Sequence, residues 1–292
     1  MWNFIRNRRT AINNRINESN TLTSSIIEQQ DGRLLYHDDE LVRIVNLPDT
    51  VVGSIPKLLF AFWHTPEMPP LMTANFEEIV RDHPSFTCKV YDAKSARNFI
   101  NQYFTDEVLC AYDTLIPIAY KSDLWRYCAL YIFGGIYIDI KFELVNGFSF
   151  DEVNSEIYVK DRPEHFANKN GIQNTFMAVF PRNKYLMNAI KAILHNCRTH
   201  YFGSNSIYPT GPGLLSHIFP LNFTCNASFN IVDTDSNGEP CERIYYNGRE
   251  ILKKYTGYRR EQTSSGESYL KYYIERRIYN TVLISSSQAK LL

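Results

Sequence analysis

Two charged residues, Asp123 and Arg126, stand inside an apolar run, and their types and spacing suit the binding of a polar ligand. The pattern of residues 119–133 predicts a buried helix, and positions three apart lie on one face of it. There the carboxylate could accept hydrogen bonds from hydroxyls, and the guanidinium could bind phosphate or sugar hydroxyls across a cleft. An internal ion pair is the alternative, and this stretch alone leaves both interpretations open.

The residues after Gly134 and Gly135 alternate between apolar and polar types, which predicts one strand over Ile136–Val145. One face of this strand is apolar throughout. The other face carries a tyrosine and three charged residues: Tyr137, Asp139, Lys141 and Glu143. Such a face would be solvated on an edge strand, but this strand follows directly from a buried helix. A carboxylate in that position, beside a cleft, is a candidate for holding a ribose hydroxyl or a divalent cation.

Strands and helices alternate along the rest of the chain. The other predicted strands are 57–63, 86–91, 157–160 and 175–180, and the other predicted helices are 71–81, 93–104, 106–112, 184–200 and 213–219. Turn residues predict hairpins at Asn237-Gly238 and Asn247-Gly248. This order predicts an α/β fold with a mixed, mainly parallel sheet and helices on both faces. Ligands bind such sheets at the carboxyl ends of strands, near which Trp63 and Asp139 fall.

The composition limits the class of protein. The 292 residues carry 31 Lys plus Arg and 31 Asp plus Glu, so the formal net charge is zero, which argues against a nucleic-acid binder that neutralises phosphates. We expect no integral membrane segment, because no apolar run approaches about 18 residues. The amino-terminal residues lack the pattern of a secretory signal, so we expect a cytoplasmic protein. Residues 1–50 are polar and predict a partly ordered lead-in, followed by one domain over 51–292.

Four motifs, in this order, resemble glycosyltransferase family 32. They are Ile55-Pro56-Lys57 leading to Trp63, S-D-x-x-R-Y from Ser122, L-x-x-x-G-G-I-Y-x-D ending at Asp139, and T-G-P from Thr210. Asn174 before an apolar strand and Pro181 before a helix also follow the family order. The second and third motifs are similar to the glucosylating bacterial toxins as well. The resemblance covers about residues 50–220.

The resemblance implies a GT-A-like, Rossmann-type fold and transfer of a sugar from a nucleoside diphosphate to an acceptor hydroxyl, with retention of configuration. By position, Asp123 and Arg126 match the pair that contacts the donor sugar and diphosphate. Asp139 matches the first acid of the DXD motif, which holds the ribose and helps to bind metal. Trp63 matches an aromatic that stacks on the nucleotide base in the toxins, and a plain core residue is the alternative. Further donor contacts are implied at Asn174, Thr210 and Gly211.

The chain departs from the family at Lys141. The family usually has a second acid here that ligates Mn²⁺ or Mg²⁺, whereas a protonated lysine cannot ligate a cation. Lys141 could instead neutralise charge on the leaving diphosphate, so it joins Asp123, Arg126 and Asp139 as a candidate catalytic residue. Asp139 remains the candidate metal ligand, with Glu143 as a partial substitute. We therefore expect a weak requirement for Mn²⁺ or Mg²⁺ and no organic cofactor.

Two functions remain open. The first is a nucleotide-sugar-dependent glycosyltransferase of glycan biosynthesis, acting on a glycan, glycoprotein or glycolipid. The second is an inactive sugar-nucleotide or glycan-binding module that has lost the second acid of the motif. An NAD-dependent enzyme is disfavoured, because no G-x-G-x-x-G follows the first strand. Release of nucleotide from sugar nucleotides would separate the first function from the second.

Overall fold

The computed structural model describes residues 27–30, 33–35, 40–43, 53–162, 171–235, 238–262 and 268–280. The chain divides into two compact units, Met1–Glu40 and Leu41–Leu292. In the smaller unit, strands β1 (Ile27–Gln30) and β2 (Arg33–Leu35) pair antiparallel. Most of the lead-in predicted over residues 1–50 lies outside the described residues. The larger unit contains every predicted site residue.

The larger unit is built on one mixed sheet. Its strands are β3 (Leu58–Phe62), β4 (Thr87–Tyr91), β5 (Gly135–Ile138), β6 (Phe142–Leu144), β7 (Ile157–Lys160), β8 (Ile172–Val179), β9 (Ala227–Thr234), β10 (Pro240–Tyr246) and β11 (Arg249–Lys254). Their order in the sheet is β4-β3-β5-β8-β7-β9-β10-β11-β6. The parallel pairs are β3–β4, β3–β5 and β7–β9, and the five other pairs are antiparallel. The mixed α/β class is therefore confirmed, although parallel pairing is in the minority.

Six of the described helices follow the predicted segments closely, and two short carboxyl-terminal helices were not predicted. The described helices are α1 (Pro70–Asp82), α2 (Ala93–Tyr103), α3 (Asp106–Thr114), α4 (Ile118–Phe133), α5 (Lys184–Thr199), α6 (Pro212–Ile218), α7 (Tyr258–Gln262) and α8 (Tyr269–Ile274). The buried helix α4 ends at Gly134, whose φ of 63° is open to glycine but unusual for other residues. Gly135 is needed for a different reason, since a Cβ there would lie 2.6 Å from the main-chain oxygen of Leu58. None of the described helices is both long and apolar enough to cross a bilayer.

The two faces of the sheet belong to two separate hydrophobic clusters. Phe60 and Phe62 of β3 pack in the cluster that includes residues of α2 to α6, while Leu59 and Ala61 pack in the cluster that includes α1. Successive strand residues point to opposite faces, so one apolar run fills both cores. The expectation of helices on both faces is confirmed.

The prediction of one strand over residues 136–145 is wrong. β5 ends at Ile138, and β6 pairs with β11 at the edge of the sheet that lies far from β5. Between them the main chain turns, because the N–H of Phe142 donates to the carbonyl of Asp139 (3.0 Å), while the N–H of Asp139 still donates to Thr175 of β8 (2.7 Å). Asp139 thus lies at the carboxyl end of β5, where open α/β sheets bind ligands.

The carboxyl-terminal part of the sheet is a meander of antiparallel strands. The hairpin predicted at Asn247-Gly248 joins β10 to β11, and its two turn residues have φ values of 50° and 78°, as a type I′ turn requires. β9 pairs with β10 as predicted, although Asn237 in the connecting turn lies outside the described residues. Through β11 this meander reaches β6 and the turn that follows Asp139.

Candidate active site

Arg126 is buried in α4 and is held by groups from several elements. Its Nη1 donates to the carbonyl of Asn174 in β8 (2.6 Å) and to Oδ1 of Asp139 (3.2 Å). Its Nη2 donates to Oγ of Ser122 (3.0 Å), and Nε donates to the carbonyl of Ser122 (3.4 Å). The guanidinium also lies over the ring of Tyr137, 4.2 Å from its centroid. These contacts fix the side chain at the carboxyl end of β5.

Asp123 lies one helical turn before Arg126, and both of its carboxylate oxygens have partners. Oδ1 lies 3.3 Å from Nη2 of Arg126 and accepts from Nδ2 of Asn174 (2.9 Å). Oδ2 accepts from Oγ1 of Thr210 (2.7 Å). Gly211 adjoins this oxygen, since a Cβ there would lie 3.4 Å from it. Asp123, Asn174 and Thr210, which come from three separate parts of the sequence, therefore form one network with Arg126.

Burial raises the pKa of the Asp123 carboxyl, and the neighbouring Arg126, Thr210 and Asn174 act in the opposite direction. A carboxylate that loses water keeps its charge only where fixed donors replace that water. Asn174 supplies one of these donors from a position inside β8. The sequence had suggested instead that Asn174 precedes the strand. Its side chain also donates to the hydroxyl of Tyr127 at 2.8 Å.

Asp139 lies between two cations. Its Oδ1 accepts from Arg126 and from the hydroxyl of Tyr137 (2.9 Å). Its Oδ2 lies 3.3 Å from Nζ of Lys141. Although the strand predicted here is broken, the side chains of Asp139 and Lys141 still meet, because the turn brings them together.

Glu242 and Lys254 complete the site, and sequence reasoning missed both. Nζ of Lys141 lies 2.7 Å from Oε2 of Glu242 in β10, and Nζ of Lys254 in β11 lies 3.8 Å from Oε1 of the same residue. The two residues follow Asp139 by more than a hundred positions and belong to no recognised motif. Lys141 itself was an indirect signal, because a buried lysine that replaces an acid needs a second carboxylate to balance its charge.

The charges in this part of the site stabilise each other. Burial acts to lower the pKa of Lys141, but Glu242 and Asp139 outweigh that effect and raise it above its usual value. Burial acts to raise the pKa of Glu242, but Lys141 and Lys254 hold it below the usual range. Arg126 follows the same rule, since the nearby carboxylates raise its pKa despite burial. All three groups are therefore ionised at neutral pH.

Two predicted site residues lie outside this network. Trp63 is 6% exposed and belongs to the hydrophobic cluster of α1, with its ring centroid 4.4 Å from that of His64. Its stacking on a nucleotide base stays a prediction. Glu143 lies in β6, beyond the turn, and forms an ion pair with Lys253 (3.1 Å). The turn that separates β5 from β6 thus removes Glu143 from the strand face it was predicted to share with Asp139.

The residues around Asp139 do not fit a divalent cation. Both of its carboxylate oxygens already face a cationic side chain, and a lysine cannot ligate metal. Within the described part of the chain, no three His, Cys, Asp or Glu side chains come together as a ligand group. A metal at Asp139 would need Lys141 to move away.

Two cavities differ in their relation to this site. One of about 400 Å³ lies at the amino end of β3 and is mostly apolar, with the ion pair of Lys57 and Asp151 at its rim. The network around Arg126 lies at the opposite end, the carboxyl end of β5. The second cavity, of about 160 Å³, adjoins the site and is lined by residues that include Lys254, Tyr258 and Arg259.

A family model described as "Glycosyltransferase sugar-binding region containing DXD motif" matches residues 69–160. This segment contains Asp123, Arg126, Asp139 and Lys141. Inositol phosphoceramide mannosyltransferase 3 of Schizosaccharomyces pombe is 25% identical over 169 residues, which cover 57% of this chain and 45% of the relative. The chain thus matches less than half of that relative's length. A solved structure titled "PaToxG Glycosyltransferase" is 16% identical, covers 57% of this chain and 69% of its own, and has a TM-score of 0.45.

The family model and the fission-yeast relative support a relationship between this chain and glycosyltransferases. The narrower assignment to family 32 stays a prediction. The matched segment ends before Asn174, Thr210 and Glu242, so the contacts of those three residues with the motif come from the structure alone.

Proposed function

We propose that the protein is a nucleotide-sugar-dependent glycosyltransferase whose donor binds at the carboxyl end of β5. The observation that carries the proposal is the network in which the guanidinium of Arg126 lies within 3.3 Å of the carboxylates of both Asp123 and Asp139. These are the positions expected to contact donor sugar, diphosphate and ribose. A carboxylate pair of this kind suits the hydroxyls of a sugar nucleotide.

In the proposed reaction, the bond from the anomeric carbon to the diphosphate breaks, the acceptor oxygen bonds to that carbon on the same face, and the proton of the acceptor hydroxyl passes to the departing diphosphate. Negative charge then develops on the leaving diphosphate, and fixed cations stabilise it without reorganising. Lys141 is the cation best placed for direct contact, because its ammonium group has a third N–H beyond its two carboxylate partners. We propose retention of configuration, as the family resemblance implies.

Arg126 has a different role in this proposal. A guanidinium has five N–H donors, and those of Arg126 are directed at Ser122, Asn174, Asp123 and Asp139. Direct contact with the diphosphate would require one of these bonds to break. We therefore assign Arg126 as a positioning residue that fixes the two carboxylates and adds positive charge behind them.

The donor and acceptor are proposed by class. The donor is a nucleoside diphosphate sugar, and the acceptor is a hydroxyl of a glycan, glycoprotein or glycolipid. The name of the fission-yeast relative makes a mannosyl donor and a lipid-linked acceptor the first pair to test.

The experiment is a donor panel. The protein is incubated with GDP-mannose, UDP-glucose, UDP-galactose and UDP-N-acetylglucosamine, and released nucleoside diphosphate is measured. We expect catalytic release from one donor, and much slower release by Asp123→Asn, which should be less stable but still unfold cooperatively. Lack of release from every donor, with or without acceptors, would contradict the proposed function.

A sugar-nucleotide-binding module is the second candidate, favoured by one observation: Lys141 stands where the family has a metal-binding acid. Such a module would bind one donor of the panel by calorimetry and release no nucleotide from it. Binding and release, measured on the same protein sample, therefore separate the two functions.

A further inference from the structure

Six charged side chains form an alternating row through the site. In order they are Asp123, Arg126, Asp139, Lys141, Glu242 and Lys254, and we call them the charge row. Neighbouring charges lie 3.3, 3.2, 3.3, 2.7 and 3.8 Å apart. None of the side chains is more than 21% exposed. With three positive and three negative members, the row has no net formal charge.

The centre of the row has the arrangement of a cation site. Oδ2 of Asp139 and Oε2 of Glu242 converge on one point, which the ammonium of Lys141 occupies at 3.3 and 2.7 Å. Two carboxylates that converge in this way are typical ligands of Mg²⁺ or Mn²⁺. Here the second carboxylate comes from β10, on another part of the chain from the motif.

We infer that the ammonium of Lys141 takes the place of a divalent cation between Asp139 and Glu242, so that the donor diphosphate binds without metal. Glu242 is then a positioning residue that holds Lys141, and together with Asp139 it forms a latent metal site. The identity of the diphosphate in this inference rests on the proposed function. The arrangement of Asp139, Lys141 and Glu242 does not depend on it.

Several contacts keep the ammonium in this position. The carbonyl of Lys141 accepts from the N–H of Tyr255 (3.0 Å), which ties its main chain to the end of β11. Lys254 approaches Glu242 from its other oxygen and so keeps that carboxylate ionised. A divalent ion between Asp139 and Glu242 would be repelled by both lysines and by Arg126. Removal of Lys141 alone leaves the row with a net charge of minus one and an open place between two acids.

The experiment measures binding of Mn²⁺ alone by electron paramagnetic resonance. Wild-type protein is expected to bind Mn²⁺ at least about tenfold more weakly than Lys141→Ala, since the ammonium repels the ion. Addition of Glu242→Gln to Lys141→Ala should reverse that gain. The matched control adds Glu250→Gln instead. Glu250 lies on the same hairpin, pairs with Arg243 at 2.8 Å and is 16% exposed, against 18% for Glu242. This control should keep the gain.

The inference is overturned if wild-type protein binds Mn²⁺ as tightly as Lys141→Ala, or if Glu250→Gln lowers the binding as much as Glu242→Gln. A second measurement needs no variant. The affinity of the wild-type protein for GDP and UDP should be the same with EDTA as with Mn²⁺, and a tenfold dependence on Mn²⁺ would overturn the inference even if Lys141→Ala failed to fold. A donor panel without turnover, alongside the expected Mn²⁺ pattern, would contradict the proposed function alone.

Discussion

At the scale of single residues, the ion pair with Arg126 does not account for all the contacts of Asp123. The two residues do form the internal ion pair. The same carboxylate also binds Asn174 and Thr210, which lie far along the chain and which an isolated ion pair would not require. The helix pattern predicted the shared face, whereas the partners depend on chain crossings that one segment does not encode.

The hydroxyl of Thr210 gives the first prediction. Thr210→Val keeps the shape of this buried side chain but removes a donor from Oδ2 of Asp123. A buried carboxylate that loses a hydrogen-bond donor is destabilised by about 1–3 kcal/mol. Turnover of the sugar nucleotide should therefore fall by about tenfold to a hundredfold. Thr210→Ser keeps the hydroxyl and is the control. Equal turnover in the two variants would show that the hydroxyl does not matter. The measurement is the rate of nucleotide release.

Trp63 gives the second prediction. Because its indole is almost wholly buried in the hydrophobic cluster that includes Met72 and Phe76, we expect Trp63→Phe to lower the free energy of unfolding by about 1–2 kcal/mol. Nucleotide affinity should change by less than about fivefold, because a side chain of the core does not contact the nucleotide, whereas loss of base stacking would cost about 1–3 kcal/mol. Urea unfolding and calorimetry measure the two quantities. A larger loss of affinity with unchanged stability would instead support stacking on the nucleotide base.

At the scale of elements, the turn at residues 139–141 decides the arrangement of the site. Alternation in the sequence predicted one continuous strand, because both halves obey the same period of two. The break depends on β11, which pairs with β6 and draws it to the opposite edge of the sheet. A pairing between segments more than a hundred residues apart leaves no trace in local periodicity.

The hairpin of β10 and β11 gives the third prediction, through Glu242. Glu242→Gln should lower the free energy of unfolding at pH 7 by about 1–3 kcal/mol, because Lys141 and Lys254 lose a charged partner. The folded pKa of Glu242 is below its usual value of 4.5. Its stabilising charge is therefore fully present above that value and is lost as the pH falls through the folded pKa.

The test of this prediction compares the wild type and Glu242→Gln by urea unfolding at several pH values. The difference between them should be constant near neutral pH and should shrink below about pH 4.5, where the carboxylate begins to protonate in the unfolded chain. An equal difference at pH 7 and pH 3.5 would show that packing, rather than the carboxylate charge, is the source of the effect.

At the scale of the whole molecule, the sequence predicted helices α1 to α6, most strands and the motif residues of the candidate site. It overestimated parallel pairing, because β8 pairs antiparallel with both β5 and β7, and the carboxyl-terminal strands form hairpins. It missed Glu242 and Lys254 for the same reason. Glu242 and Lys254 lie in the site because the antiparallel strands β9 to β11 bring them next to the turn after β5.

Donor turnover by Asp139→Asn is the decisive measurement for the proposed site. The substitution keeps the shape of the side chain and an oxygen that accepts from Tyr137, but it removes the negative charge between Arg126 and Lys141. We expect nucleotide release from the donor identified by the panel to fall by at least about a hundredfold, while a cooperative thermal unfolding transition is retained. Wild-type turnover in this variant would contradict the assignment of the site. So would loss of the folded state, since Asp139 would then serve the fold rather than the reaction.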